Sequence, residues 1–412
     1  MEKINYPDLK ESVYHEKLPN GLNVYLMPKY GFNKTYATFT TNFGSIDGLI
    51  GEKEIPKGIA HFLEHQLFSK VDGDVSEKFA ENGANVNAFT TYDKTSYLFS
   101  CTSKVEDNLN LLLDFVQEPY FTEESVVKER GIITEELQMY SDNPDVKIIL
   151  EGMNNLFAKH PLKDDIGGTV ETIKDIDADI LLEAHSYFYH PSNMIVVVVG
   201  NIDPEKVMEI IRINQSPKNF DHLKEYTRNI PFEAAINKKE STLIQENVFE
   251  KGLLAYKGGP EIYKGNYEKY KLSMMVYLDI LFGRSSKNYE MLFKEELINY
   301  TFGSIAYIEP DYSVVIIGGD TSNPDKLITR LNELIDSEID KEQFIHMKNK
   351  FYGSMLKLLN YPEGIANEFT SFKLAGSDLF NIINIINDIT LDDVVACKNF
   401  FKNGVTVKMK TE

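Results

Sequence analysis

Residues 58–68 read GIAHFLEHQLF, which sets two of the chain's eight histidines and a glutamate within five positions. At about 100° per residue on an α-helix, His61, Glu64, His65 and Phe68 fall in one sector, and Ile59, Phe62, Leu63 and Leu67 occupy the other side. Both imidazoles therefore point the same way. Pro56 suits the first turn of such a helix, and Gly58 is the breaker that follows it. Imidazoles at i and i+4 can grip one zinc ion, and a glutamate at i+3 lies close enough to act as general base toward the attacking water. H-x-x-E-H is the reverse of the H-E-x-x-H zinc motif. The competing reading is an amphipathic helix whose histidines only pack.

A tetrahedral catalytic zinc takes three protein ligands and keeps one position open. Residues 122–142, TEESVVKERGIITEELQMYSD, offer the third. On a helical wheel Glu136 falls about 20° from Glu129, with Val126, Ile132, Ile133 and Tyr140 nearby. Glu124, Lys128, Glu135 and Gln138 lie opposite, and Glu124 faces Lys128 at i+4, so Glu124 and Glu135 read as solvated. Glu129 and Glu136 sit instead in an apolar stripe, where an unpaired carboxylate is costly. A zinc ion reached by Glu136, with Glu129 behind it, would compensate both. Pairing with Arg or Lys elsewhere would also do so.

Working outward, 412 residues exceed one compact core, so two domains are expected. Strands are expected at 21–28 and 34–43. A hairpin turning at Tyr92-Asp93 should follow, then helices over about 104–158 and the buried strand NMIVVVVGNI (193–202). Residues 213–236 lose periodicity and carry two prolines, which makes them the linker. The boundaries are therefore 1–212, a zinc-binding catalytic domain, and 237–412, a companion domain. The companion should have strands near 241–256 and 312–319 with helices between and after them. Similar lengths and element order permit a duplicated α+β unit.

Apolar residues make up 42% and charged ones 26%, the balance of a soluble globular protein. The formal net charge of −20 argues against nucleic acid, which needs a basic face, and is easier to reconcile with a cationic peptide or with solubility alone. The N-terminal segment has no apolar signal region and MIVVVV is too short for a membrane span, so a cytoplasmic protein is expected. Cys101 and Cys397 lack metal-ligand spacing and read as buried thiols. His160, His185 and His190 have no mutual spacing that would build a second metal site. The glycines of GGDTSNPD (318–325) form no phosphate-binding motif.

HFLEH followed about seventy residues later by ERGIITEE resembles the H-x-x-E-H…E signature of the M16 metallopeptidases, the family of pitrilysin, insulin-degrading enzyme and mitochondrial processing peptidase. The resemblance extends over LPNGLNVY (18–25), NAFTTYDKTSY (87–97), HPLKDDIGGTVETI (160–173) and YHPSNMIVVVVGNID (189–203). It implies an α+β fold of two tandem homologous α/β-roll domains, the LuxS/mitochondrial-processing-peptidase-like metallohydrolase fold, forming half of a clam-shell dimer. It implies His61, His65 and Glu136 as ligands of one Zn2+ per chain, Glu64 as general base and Glu129 as supporting carboxylate. It also implies that Asn87, Ala88 and Phe89 offer a backbone edge to a peptide substrate. The size resembles the short bacterial members, some of them linked to processing of ribosomally made peptides.

Family members usually carry an Arg and a Tyr seven residues apart in the second domain to hold the substrate carbonyl and the developing oxyanion. Here Tyr300 falls at the tyrosine position and Phe293 where arginine is expected, with Arg284 or Lys294 as substitutes if the register is shifted. A phenyl ring cannot donate that hydrogen bond. The expectation is a zinc endopeptidase that works with an M16-like partner supplying the Arg/Tyr pair, or as a homodimer. The alternative is a non-catalytic peptide-binding or scaffold subunit.

Overall fold

A computed structural model of the chain describes residues 1–220, 226–263 and 266–412. The helices used below are α1 (Ile59–Gln66), α2 (Glu123–Asp142), α3 (Pro144–Leu156), α4 (Tyr267–Phe282), α5 (Lys341–Leu358) and α6 (Pro362–Leu374). The chain divides into two compact units. One comprises Met1–Gln138, Asp165–Thr227 and Lys357–Phe380, and the other Met139–Asp164, Arg228–Leu356 and Asn381–Glu412.

The first unit is built on a seven-stranded sheet. Its strands are β1 (Glu2–Tyr6), β2 (Glu11–Lys17), β3 (Asn23–Pro28), β4 (Thr35–Thr41), β5 (Ala84–Thr90), β6 (Thr95–Cys101) and β7 (Met194–Gly200). They lie in the order β1-β2-β3-β7-β4-β6-β5, with β3 and β7 parallel and the other pairs antiparallel. Every residue of β4, β6 and β7 is buried, which is why these strands read as unbroken runs of Thr, aromatic and aliphatic residues. β5 is the edge strand and is partly exposed. The expected hairpin closes over Thr91–Lys94, where the Thr91 amide donates to the Lys94 carbonyl at 2.8 Å and the Thr91 hydroxyl to Asp93 Oδ1 at 2.7 Å.

The second unit has a five-stranded sheet of β8 (Glu240–Ile244), β9 (Lys251–Gly258), β10 (Gly303–Ile308), β11 (Ser313–Asp320) and β12 (Gly404–Lys410), in the order β8-β12-β9-β11-β10. Its β8–β12 pair is parallel and the rest are antiparallel. The order and directions repeat β3-β7-β4-β6-β5, so the expected duplication of an α+β unit is met strand for strand.

Several elements differ from expectation. The strand near 241–256 is two strands, separated by a turn in which Asn247 adopts φ 55°. The chain ends in a strand rather than a helix: β12 alternates half-buried and buried residues and lies inside the second sheet. Pro56 lies outside α1, whose N-cap is Gly58. Of the expected linker, residues 221–225 lie outside the described residues, and the helix Pro204–Gln215 runs into its first part. Among the described residues, two α-helices pack on sheets whose strands lie largely elsewhere in the chain. α6 packs on β4 and β7, where Thr370 Oγ1 lies 3.3 Å from Thr38 Oγ1. α3 packs on β9 and β12, with Asn155 Nδ2 donating to Ser241 Oγ at 2.7 Å.

Candidate metal centre

α1 is placed by its apolar side, Ile59, Ala60, Phe62 and Leu63, which is buried in the core of the first unit. Its start is fixed by a close approach. Gly58 has φ 88°, and a Cβ there would lie 2.3 Å from the Gly167 carbonyl oxygen, so only glycine fits both the backbone and the space. On the other side His61 and His65 stand edge to face with ring centroids 4.6 Å apart.

α2 brings the carboxylates. Val126, Ile133 and Leu137 bury its apolar side. Ile132 and Tyr140, expected beside the carboxylates in an apolar stripe, are instead 46% and 43% exposed. Glu136 Oε2 lies 3.9 Å from His61 Nε2 and 3.4 Å from His65 Nε2. One ligand atom from each of His61, His65 and Glu136 lies within 4.8 Å of the others. Glu129 Oε1 is 3.0 Å from His65 Nδ1, so that nitrogen donates to it and Nε2 turns its lone pair toward the cluster.

The electrostatics suit a divalent cation. Burial, with the neighbouring His65, holds His61 down to about 4, so its ring is neutral as a ligand must be. Burial opposes charge on His65 too, but its hydrogen bond to Glu129 and the charges of Glu129, Glu64 and Glu136 prevail and raise its pKa. That concentration of negative charge favours a cation among the three side chains. Two imidazoles and a carboxylate are also the donor set of a catalytic zinc site. The residues present therefore fit the group.

Glu64, on the same side of α1, is only 9% exposed, and burial raises its pKa. Thr90 Oγ1, at the end of β5, donates to its Oε2 at 2.5 Å. Asn87, Ala88 and Phe89 precede Thr90 on this edge strand, and the Ala88 amide donates to Asn87 Oδ1 at 2.9 Å. Tyr300 belongs to the other compact unit, where its side chain is 77% exposed and its carbonyl accepts from Arg284 Nη2 at 3.3 Å. Phe293 is 55% exposed and Lys294 pairs with Glu290.

Two residues of this site escaped sequence reasoning. Thr90 is one. Gly167 is the other, since a Cβ there would come within 2.8 Å of Leu137 Cδ2 and 3.4 Å of His61 Nδ1, so the loop lies flat against the first histidine. The signal was the paired glycine in DDIGGTV. Elsewhere, Cys101 and Cys397 are free and buried, and burial pushes the Cys397 thiol up to about 12. His185 donates from Nε2 to the Val116 carbonyl at 2.8 Å, His160 Nδ1 accepts the Leu162 amide, and His190 Nδ1 accepts the Ser192 amide. These are structural bonds.

Comparison with known proteins finds two family profiles: insulinase (peptidase family M16) over residues 46–170 and the peptidase M16 inactive domain over 175–350. The chain is 43% identical to the uncharacterized zinc protease YmfH of Bacillus subtilis, over 96% of this chain and 95% of that one. The crystal structure of a putative M16-like peptidase from Alicyclobacillus acidocaldarius is similar at a TM-score of 0.92 and 30% identity, covering 99% of this chain and 100% of that one. A protease from Helicobacter pylori shares the fold at a TM-score of 0.85 and 23% identity, over 97% and 99% of the two chains.

Proposed function

The chain belongs to the M16 family of peptidases, and on that premise we propose that it is a zinc-dependent endopeptidase acting on short, extended peptides. The observation that carries the reading is the convergence of His61, His65 and Glu136 beside a buried Glu64. The relatives' name, zinc protease, supports zinc as the metal.

His61, His65 and Glu136 would hold one zinc ion per chain, with Glu129 fixing the His65 ring. When bound, zinc supplies a Lewis acid that polarises the scissile carbonyl and makes water easier to deprotonate. Glu64 takes the proton from the attacking water and passes it to the leaving nitrogen. The free edge of β5 at Asn87–Phe89 offers main-chain hydrogen bonds to a peptide added as a strand, which demands little of its sequence. Tyr300 would contact the substrate carbonyl.

In this reading residues 1–212 form the catalytic domain and 237–412 its companion, joined by 213–236. The chain forms half of a clam-shell dimer, with itself or with an M16-like subunit that supplies the missing arginine. Processing of a ribosomally made peptide precursor in the cytoplasm fits the acidic charge; among the described residues no helix is long and apolar enough to cross a membrane. Phe293 at the arginine position favours a second reading, a peptide-binding subunit without turnover.

The test is zinc content together with cleavage of a quenched fluorescent peptide library, by the wild type and by Glu64→Gln, alone and with any M16-like partner. Glu64→Gln should keep its zinc and lose about 10²–10⁴-fold in turnover. Undiminished turnover in that variant would sink the base assignment. Stoichiometric peptide binding with no cleavage in any wild-type sample would favour the second reading.

A further inference from the structure

We propose that Thr90 is a positioning residue for Glu64, holding the base by one carboxylate oxygen from the end of the strand that would carry the peptide. The kinetic side of this inference rests on the peptidase reading above.

Among the described residues, the hydrogen bond from Thr90 Oγ1 at 2.5 Å is the one made to the Glu64 carboxylate. A glutamate side chain has several rotatable bonds, and burial alone does not choose among its rotamers. The partner here is stiff. Threonine is β-branched and restricted at χ1, and Thr90 sits opposite Thr95 in the antiparallel β5–β6 pair. Thr95 in turn donates from Oγ1 to the Phe43 carbonyl at 2.9 Å, and the two threonine oxygens lie 3.4 Å apart. Glu64 Oε2 is therefore tied to the sheet, and Oε1 is the oxygen left to receive a proton.

Thr90 also follows Phe89 directly, so a peptide laid along Asn87–Phe89 would brace the residue that orients the base. Loss of the hydroxyl should then fall on kcat, because the edge that binds peptide is retained while the base is released.

The experiment compares Thr90→Val, which keeps the branched shape without the hydroxyl, and Thr90→Ser, which restores the hydroxyl, in the zinc-loaded protein. Thr90→Val should lose about 10- to 100-fold in kcat with little change in KM and unchanged zinc content, and Thr90→Ser should recover most of it. Crystal structures of both zinc-loaded variants and the wild type give a readout independent of turnover: the Glu64 carboxylate should leave its place in Thr90→Val and keep it in Thr90→Ser. Wild-type kcat in Thr90→Val, or Glu64 unmoved in its structure, would overturn the proposal. If the wild type cleaves nothing, the peptidase reading fails, while a displaced Glu64 in Thr90→Val still upholds the positioning role. Should Thr90→Val not fold, Thr90→Ala takes its place under the same criteria.

Discussion

The second sheet repeats the order of five strands of the first, and in each a helix follows the middle strand of those five and precedes the edge hairpin: α1 after β4, and α4 after β9. α4 spends its surface on packing, with nine of its sixteen residues buried, from Leu272 to Phe282. α1 is half as long and buries six of its eight residues, but one of those six is Glu64, and the two it leaves half-buried are His61 and His65. Among the described residues the cluster His61, His65 and Glu136 is the one that could hold a metal. The same scaffold thus serves as a core in one half and as a site in the other, and the difference lies in side chains, not topology.

The widest test of that contrast is removal of a ligand. His65→Ala should lower zinc content from about one per chain toward zero and abolish cleavage, while leaving the Glu129 carboxylate without its partner. Wild-type zinc content in this variant, measured by elemental analysis, would leave the two halves chemically alike.

A smaller effect separates the ways in which the two helices begin. α1 starts at a left-handed glycine pressed against the Gly167 carbonyl, whereas α4 starts at Asn266, whose side chain accepts the Lys269 amide at 3.0 Å. Gly58→Val meets both a backbone clash and a left-handed conformation that costs a branched residue about 1–2 kcal/mol by itself. It should lower Tm by several degrees and weaken zinc binding, because the displaced turn carries His61. Asn266→Ala removes an ordinary cap, about 1 kcal/mol, and should leave zinc affinity as it was. Equal zinc affinities in the two variants would show that the Gly58 contact does not shape the site.

The parts of this site that are local in sequence were legible there. A period of 3.6 residues is enough to put His61, Glu64 and His65 on one side of α1, and Glu129 and Glu136 on one side of α2. Thr90 and Gly167 were not, because each acts on a residue far along the chain, and nothing in a threonine or a glycine pair names the partner. The exchange of α3 and α6 was hidden for a related reason. Both helices carry apolar residues that suit the face of a sheet, and their pattern does not say which sheet. β12 was readable in principle: GVTVKMK alternates with a period of two, a strand pattern that the expectation of helices after 319 passed over.

The smallest predicted effect concerns something the halves share. Each unit buries a histidine that burial holds down to about 4, His185 in the first and His160 in the second. In the unfolded chain both titrate near the ordinary value of 6.5. Between those limits the unfolded chain binds more protons, so each contribution to stability is complete above about pH 6.5 and is lost as the pH falls toward 4. Lowering the pH from 7 to 5.5 should cost about 1 kcal/mol per histidine. Amide hydrogen exchange, corrected for intrinsic rates and followed in β7 and β12, should report the loss in both sheets. His185→Gln, whose side chain can still donate toward the Val116 carbonyl, should flatten the pH dependence in β7 and spare β12. If the variant and the wild type lose protection in β7 alike, the acid sensitivity of that half comes from its carboxylates and not from His185.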